Sequence, residues 1–486
     1  MPSPLDLRCL RSCLDGFPDD TVMWLAEKTQ VDAGRLRQQL ARQRGQLSNL
    51  IGRRVALWPS TALDLAFLLV ALDGSAEAIL LLPADLPSQQ TVEFVRRAGT
   101  DCLVVTHGPG ACGEAPAMDV PCVGFAVDWT SAGDGFDREQ MVAGEPPPPP
   151  GTLAARNQAE IFATCWIIPT SGTTGTPKLV SHTLATLTRT ARRGADGPRQ
   201  RWGMLYDLAR FAGLQVFFQA FLSGSRLVFT DPAHGLDAQV ARLAAAGCTA
   251  LSATPTLWRK ILMSGADRSL LLRQITLGGE IADAAVLAAL ARAYPAARIT
   301  HIYASTEAGV GFSVHDCRAG FPVDYEVHPP KGIEIKVDDG GMLWLRPARS
   351  GQFFVDGDGT LLDDAGWINT GDLVRREGNR YLFLGRASGA INVGGNKVFP
   401  EEVERIICEV PGVALALVKA RRSSITGALV EAVVVPDSAV SDRKALARDV
   451  QRYCRERLPA YKTPAIVTVS DTLETASTGK IVRNEP

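Results

Sequence analysis

The sequence lacks an excess of either charge. Its 51 basic and 52 acidic residues, spread over 486 positions, leave a formal net charge of −1. No basic surplus is available to neutralise a phosphate backbone or an anionic lipid surface, so neither nucleic acid nor a membrane surface is indicated as a partner. Histidine is scarce, with six residues, and no Ser-His-Asp arrangement or metal–histidine cluster is recognisable. The ten cysteines are scattered. The closest pair, Cys9 and Cys13, has neither zinc-finger nor redox spacing, so reduced and mostly buried thiols are expected. Long apolar runs are also missing. The most apolar stretch, "LDLAFLLVALDGSAEAILLLP" at 63–83, is interrupted by Asp64, Asp73 and Glu77. Three acids exclude a membrane span, and the stretch reads as a buried helix, a turn at Gly74 and a buried strand. The opening "MPSPLDLRCLRSCLDGF" has no apolar core of the secretory kind. A cytoplasmic protein is expected.

What is present is an ordinary globular composition, 46% apolar and 21% charged. The length exceeds what one hydrophobic core serves, so at least two domains are expected. Residues 27–143 alternate helical and strand-like patterns; "RVALWP" and "CLVVTH" read as buried strands and "SQQTVEFVRRAG" as a helix ended by glycine. The run "GEPPPPPG" at 144–151 reads as a stiff spacer. From 160 the rhythm returns: "CTALSAT", "RQITLGGE" and "RITHIYASTE" read as strands between helices, which implies a largely parallel sheet. Ligands on such sheets sit at the carboxyl ends of strands. Three polar loops fall at such ends, 169–178, 278–280 and 303–307. After 330, "GIEIKVDDGGMLWLRP" is a hairpin pattern around "DDGG". From about 388 a separate α+β module follows, with Pro400 in the first turn of one helix and Ser441 as the expected N-cap of another.

The loop "IIPTSGTTGTPKLV" at 167–180 carries three features of anion binding. Its glycines let backbone N–H groups approach, its hydroxyls donate, and Lys178 adds charge. It is not a Walker A loop: Gly172 and Gly175 are too close, and Leu179 follows the lysine where a magnesium-binding hydroxyl belongs. By itself the loop admits two readings, a triphosphate cradle or a flexible polar connection.

Four further segments follow in order: "YASTEAG" (303–309), "NTGDLVRREG" (369–378), "LGRASGAINVGGNKVFPEEVE" (384–404) and "TASTGKIVR" (475–483). Together with "TSGTTGTPK", over about residues 45–486, they resemble the ordered motifs of the ANL superfamily of adenylate-forming enzymes: acyl- and aryl-CoA synthetases, peptide-synthetase adenylation domains and luciferases. The resemblance implies an α/β fold. A large N-terminal domain (1–385) of α/β subdomains plus a distorted β-barrel is followed by a hinge at 386–389 and a small mobile α+β lid (390–486).

The resemblance also assigns roles. Ser171, Gly172, Thr173, Thr174, Gly175 and Lys178 would hold the β- and γ-phosphates of ATP. Tyr303 would stack on adenine, Thr306 would donate to the α-phosphate, and Glu307 would hold Mg²⁺. Asp372 would accept both ribose hydroxyls, with Arg386 adding a contact. Gly278, Gly279 and Glu280 would line the adenine and acyl pocket. Lys480 would bridge the substrate carboxylate and the α-phosphate. Ser388 stands at the hinge where many relatives carry an acid, and Gly394 and Gly395 would line the tunnel for a thiol carrier.

The implied reaction forms an acyl-adenylate from a carboxylic acid and ATP with release of pyrophosphate, then transfers the acyl group to CoA. A holo-carrier protein is the alternative acceptor, and a non-catalytic nucleotide-binding relative is an alternative of another class. The expected acyl pocket comprises Arg210, Phe211, Gly213, Leu214, Phe217, Gly279, Tyr303 and Gly309. Phe211 stands where peptide synthetases carry the aspartate that pairs with an α-amino group, so a bulky hydrophobic, aryl or alicyclic acid is expected in place of an amino acid. Arg210 reads either as a partner for a second substrate acid or as a structural ion pair.

Overall fold

The apolar run at 63–83 becomes the helix Ala62–Leu72 and the strand Ala78–Leu81 in the computed structural model, and every side chain of the strand is buried. The structure describes residues 8–27, 29–107, 120–127, 129, 163–170, 178–194, 199–348, 353–355, 361–423, 426–437, 440–475 and 480–481. The proline run and the loop at 171–177 lie outside the described residues. Among the described residues no helix is long and apolar enough to cross a membrane.

Two compact units result. One comprises the described residues up to 230 together with 353–355; the other comprises those from 231 to 348 and from 361 to 481. The first contains a seven-stranded sheet in which five consecutive members, Cys165–Pro169, Ala78–Leu81, Arg54–Trp58, Cys102–His107 and Cys122–Ala126, pair in parallel. Leu179–His182 follows antiparallel to Cys165–Pro169, and Phe353–Phe354 pairs antiparallel beyond it. A further set of strands in this unit packs around Trp24, Phe217, Phe218 and Phe221, all fully buried. Each such ring contributes roughly 1.5–3 kcal/mol on leaving water. The helix Phe211–Leu222 supplies three of the four.

In the second unit, Ala250–Ala253, Gln274–Gly278 and Arg298–Ser305 lie side by side in parallel, and Gly309–Val314 returns antiparallel to the last. This places the ends of Gln274–Gly278 and Arg298–Ser305 at one edge. The barrel expectation corresponds to a five-stranded sheet in the order Phe321–Pro322, Arg380–Arg386, Ile368–Glu377, Met342–Pro347, Ile333–Val337. Register shifts at Met342/Trp344 and Leu373/Val374 bend it. The hairpin read from "DDGG" is present, with Ile333–Val337 paired to Met342–Pro347.

The C-terminal module has its own apolar core, including Val398, Val403, Ile407, Val418, Ala432, Val450 and Cys454. Pro400 opens the helix Pro400–Ile407 as expected. The N-cap of Arg443–Arg457 is Asp442, not Ser441: the Asp442 carboxylate accepts the Ala445 N–H at 2.9 Å. An aspartate also suits the positive end of the helix dipole better than a serine.

Candidate active site

Asp372 is the centre of the polar cluster in the second unit. It lies on Ile368–Glu377, directly opposite Arg386 on Arg380–Arg386, and Arg386 Nε stands 3.5 Å from its Oδ1. Tyr303 donates its hydroxyl to Oδ2 at 2.5 Å. The Asp372 backbone is pinned by Thr370, whose Oγ1 accepts the Asp372 N–H at 3.1 Å and donates to the carbonyl of Leu343 at 2.7 Å. Burial pushes the Asp372 carboxyl above the usual carboxylate range. The Tyr303 hydrogen bond and the charges of Arg386 and Lys480 oppose that rise, while Glu307 reinforces it. Burial and the Asp372 charge together push the Tyr303 phenol well above its ordinary value.

Lys480 belongs to this group. Its Cε lies 3.3 Å from where a Cβ on Gly279 would stand, and its charge acts on Asp372. Gly279 has φ +83°, a backbone conformation that favours glycine, and a Cβ there would press on the lysine stem. Lys480 is 201 positions further along the chain, and only folding brings it to Gly279. Glu307 is half-buried in the turn after Arg298–Ser305. Among the described residues it makes no hydrogen bond or ion pair, and it shares the cluster with a second carboxylate, Asp372. An oxygen donor left available beside another negative charge fits a divalent cation such as Mg²⁺.

Other expected residues stand elsewhere or differently. Ser171, Gly172, Thr173, Thr174 and Gly175 lie outside the described residues. Lys178 closes that loop through its backbone: its N–H donates to Thr170 Oγ1 at 3.1 Å, and its carbonyl accepts the Thr170 N–H at 2.8 Å. Its ammonium lies 4.6 Å from the ring centre of Phe354. The Tyr303 ring stacks on Phe312 and on Phe383, with centroids 5.1 and 5.2 Å away. Glu280 is half-buried and hydrogen-bonded. Its two carboxylate oxygens accept the N–H groups of Thr256 and Ile481.

Within the first unit, Arg210 is an ion-pair residue. It meets Asp85 at 2.5 Å and Asp207 at 3.7 Å. Gly213 has no room for a side chain, since a Cβ would overlap the carbonyl of Asp207. Leu214 and Phe217 are fully buried, and Phe217 stacks on Phe221 at 5.5 Å. Gly213, Leu214 and Phe217 therefore serve core packing here. Phe211 lies against the ring of His182, centroids 5.7 Å apart. In the C-terminal module, Gly394 and Gly395 form the two-residue turn of the hairpin Ile391–Val393 and Asn396–Val398, both with positive φ. Gly394 also lines a cavity of about 700 Å³ with Asn396, Thr426, Arg455, Tyr461 and Thr463. Ser388 is exposed in the turn Ala387–Gly389.

Sequence reasoning missed Phe312, Phe383, Lys260 and Thr475. Phe312 is set opposite Tyr303 by strand register, whereas Phe383 comes from a different sheet. Lys260 lies on the helix Pro255–Ser264, and its ammonium donates to Thr475 Oγ1 at 2.9 Å.

A family model described as AMP-binding enzyme matches residues 16–362, and one described as AMP-binding enzyme C-terminal domain matches residues 402–480. A phenyloxazoline synthase of Mycobacterium tuberculosis is 29% identical over 360 residues, which are 66% of this chain and 24% of that protein. The chain thus spans about a quarter of the length of this relative. A 2-succinylbenzoate–CoA ligase of Bacillus subtilis is 27% identical over 358 residues, 67% of this chain and 69% of that one. Among solved structures, an anthranilate CoA ligase in complex with anthranoyl-AMP shares the fold with a TM-score of 0.75 at 19% identity, covering 97% of this chain and 95% of that chain.

Proposed function

Because the chain belongs to the AMP-binding enzyme family, we propose that it joins a carboxylic acid to AMP at the expense of ATP and then passes the acyl group to the thiol of CoA. The observation that carries this reading is the convergence of Lys480, Asp372 and Tyr303, with Glu307 beside them, from three separate stretches of chain.

The chemistry asks little of the protein beyond placement and charge. The acid is already ionised near neutral pH, so no general base is needed. One carboxylate oxygen bonds to the α-phosphorus, and the bond from that phosphorus to the β-phosphate bridge breaks with release of pyrophosphate. Lys480 lies between the incoming carboxylate and the α-phosphate and offsets the charge that gathers there. Thr306 donates to the α-phosphate. Asp372 accepts the ribose hydroxyls in place of the tyrosine hydroxyl, and Arg386 adds a contact. Tyr303 offers its ring to adenine in exchange for its stack on the half-buried Phe383. Ser171, Gly172, Thr173, Thr174, Gly175 and Lys178 take the outer phosphates. Glu307 would hold Mg²⁺, which neutralises phosphate charge when bound. In the second step the thiol sulfur attacks the acyl carbon, AMP leaves, and the thiol proton is released.

The module at 390–486 turns about 386–389 between the two steps. Exposed Ser388 and Gly389 tolerate that rotation, and Gly394 with Gly395 lets the pantetheine arm pass close to the backbone. The acid is a bulky hydrophobic or aryl monocarboxylate. Phe211 offers no charge for an ammonium, and Arg210 is occupied by Asp85 and Asp207.

Pyrophosphate exchange over a panel of carboxylic acids tests this reading. Exchange with aryl or alicyclic acids is expected; tight ATP binding without exchange by any acid would make the chain a nucleotide-binding relative instead. Product analysis with CoA then identifies the acceptor. Thioester formed only with a holo-carrier protein would replace CoA by that partner.

A further inference from the structure

The tail that carries Lys480 is gripped from both sides. Thr475 and Ile481 face each other in an antiparallel bridge. On one side, Lys260 of the helix Pro255–Ser264 donates from Nζ to Thr475 Oγ1 at 2.9 Å. On the other, Glu280 Oε1 accepts the Ile481 N–H at 3.4 Å. The second oxygen of Glu280 accepts the Thr256 N–H at 3.0 Å, which anchors the carboxylate to the first turn of the same helix. The two gripping side chains carry opposite charges that act on each other: burial lowers the Lys260 pKa, and the Glu280 carboxylate counters it.

Lys480 sits inside this grip. It immediately precedes Ile481, and its stem lies against Gly279, which immediately precedes Glu280. Free, a lysine stem samples many rotamers, and holding it in one arrangement costs up to about 2 kcal/mol. Fixing the backbone beside it removes part of the search. Each oxygen of Glu280 accepts one backbone N–H, so the carboxylate ties the tail to the helix start.

We propose that Lys260 and Glu280 are positioning residues for adenylate formation, fastening the two sides of the Thr475–Ile481 bridge so that Lys480 is presented beside Asp372. The proposal rests on the role given to Lys480 above. Once the C-terminal module turns away for thiol transfer, both grips are released, so they bear on the first half-reaction alone. The acid at position 280 thereby acquires a task different from lining a nucleotide pocket.

The test uses the full chain with two variants. Glu280→Ala removes one grip together with the Thr256 contact. Thr475→Val removes the other while keeping the side-chain shape and leaving the helix start intact. Each is expected to lower pyrophosphate exchange about tenfold, the scale of one charge-assisted hydrogen bond. Thioester formation from supplied acyl-adenylate should stay within about twofold of the parent. In a Lys480→Ala background, Thr475→Val should cause no further loss, because both changes act through one group. Hydrogen exchange of the tail peptide, measured without substrates, should quicken in both variants. Equal loss of the two half-reactions, multiplied losses in the Lys480→Ala background, or an unchanged tail exchange would each overturn the proposal. If the parent chain activated no acid at all, the functional reading would fail, and the tail exchange alone would decide whether the grip exists.

Discussion

The hydroxyl of Tyr303 donates to Oδ2 of Asp372 across 2.5 Å, on the carboxylate whose other oxygen faces Arg386. The groups proposed to hold ribose are thus already met by the protein, and on that proposal nucleotide binding exchanges one hydroxyl for another. Asp372 must be ionised to accept sugar hydroxyls, and burial raises its pKa. ATP binding therefore weakens as pH falls through that raised value. Tyr303→Phe removes a donor that favours the charged form, so the acidic limb should move to higher pH. Calorimetric titration of ATP from about pH 5 to pH 8 follows the limb; a limb that stays in place contradicts the arrangement.

Lys480→Ala separates the half-reactions. Adenylation should fall about a hundredfold or more, the usual scale for removing a group that stabilises transition-state charge. Thioester formation from supplied acyl-adenylate should fall no more than a few-fold. Single-turnover measurements of each step would expose equal losses, which would remove the account of a module that turns between steps.

Arg210 pairs with Asp85 and Asp207, and Gly213 packs against the Asp207 carbonyl, so both are expected to hold the first unit together. Arg210→Met should lower the melting temperature by a few degrees, as expected for a partly buried ion pair, with the order of preference among acids unchanged. Gly213→Ala forces a Cβ onto the Asp207 carbonyl and should destabilise more, by about 1–3 kcal/mol. A normally folded Arg210→Met chain that newly rejects acids with a second carboxylate would restore a substrate contact to this residue.

Asp73 supplies a pH signature of stability. It is 3% exposed, accepts the Leu10 N–H at 2.8 Å and the Trp166 indole N–H at 3.1 Å, and burial pushes its pKa up to about 6 from 3.8. The folded chain therefore binds this proton more tightly than the unfolded one. Its stabilising contribution is complete below the unfolded value and is lost as pH rises through about 6. The change across that window is on the order of 3 kcal/mol. Asp73→Asn lacks this titration, so its stability deficit relative to the parent should shrink between pH 4 and pH 7. Thermal melts at both ends of the window measure it, and a deficit independent of pH would refute the assignment.

Much of the second unit was legible in the chain. Apolar periodicity located the strands Gln274–Gly278 and Arg298–Ser305, and the glycines and acids after them marked a candidate site. The cap of Arg443–Arg457 was misplaced by one residue because Ser441 and Asp442 are adjacent and both can cap; only the backbone geometry separates them. Leu214 and Phe217 are fully buried, and an apolar side chain looks the same in the sequence whether it packs a core or lines a cleft. The grip on the tail left no sequence signal, since it joins residues more than 200 positions apart.

The sequence alone determined which reactive groups are carried and in what order. Residue types and their order along the chain identify a hydroxyl- and glycine-rich loop, a TGD segment and a terminal lysine, because these groups must be present whatever holds them. Tertiary structure alone decided what each group touches: that Tyr303 rests on Asp372, that Arg210 is taken up by two aspartates, and that Lys480 lies against Gly279. Such contacts depend on distances between remote segments, and those are set by the packing of strands and helices.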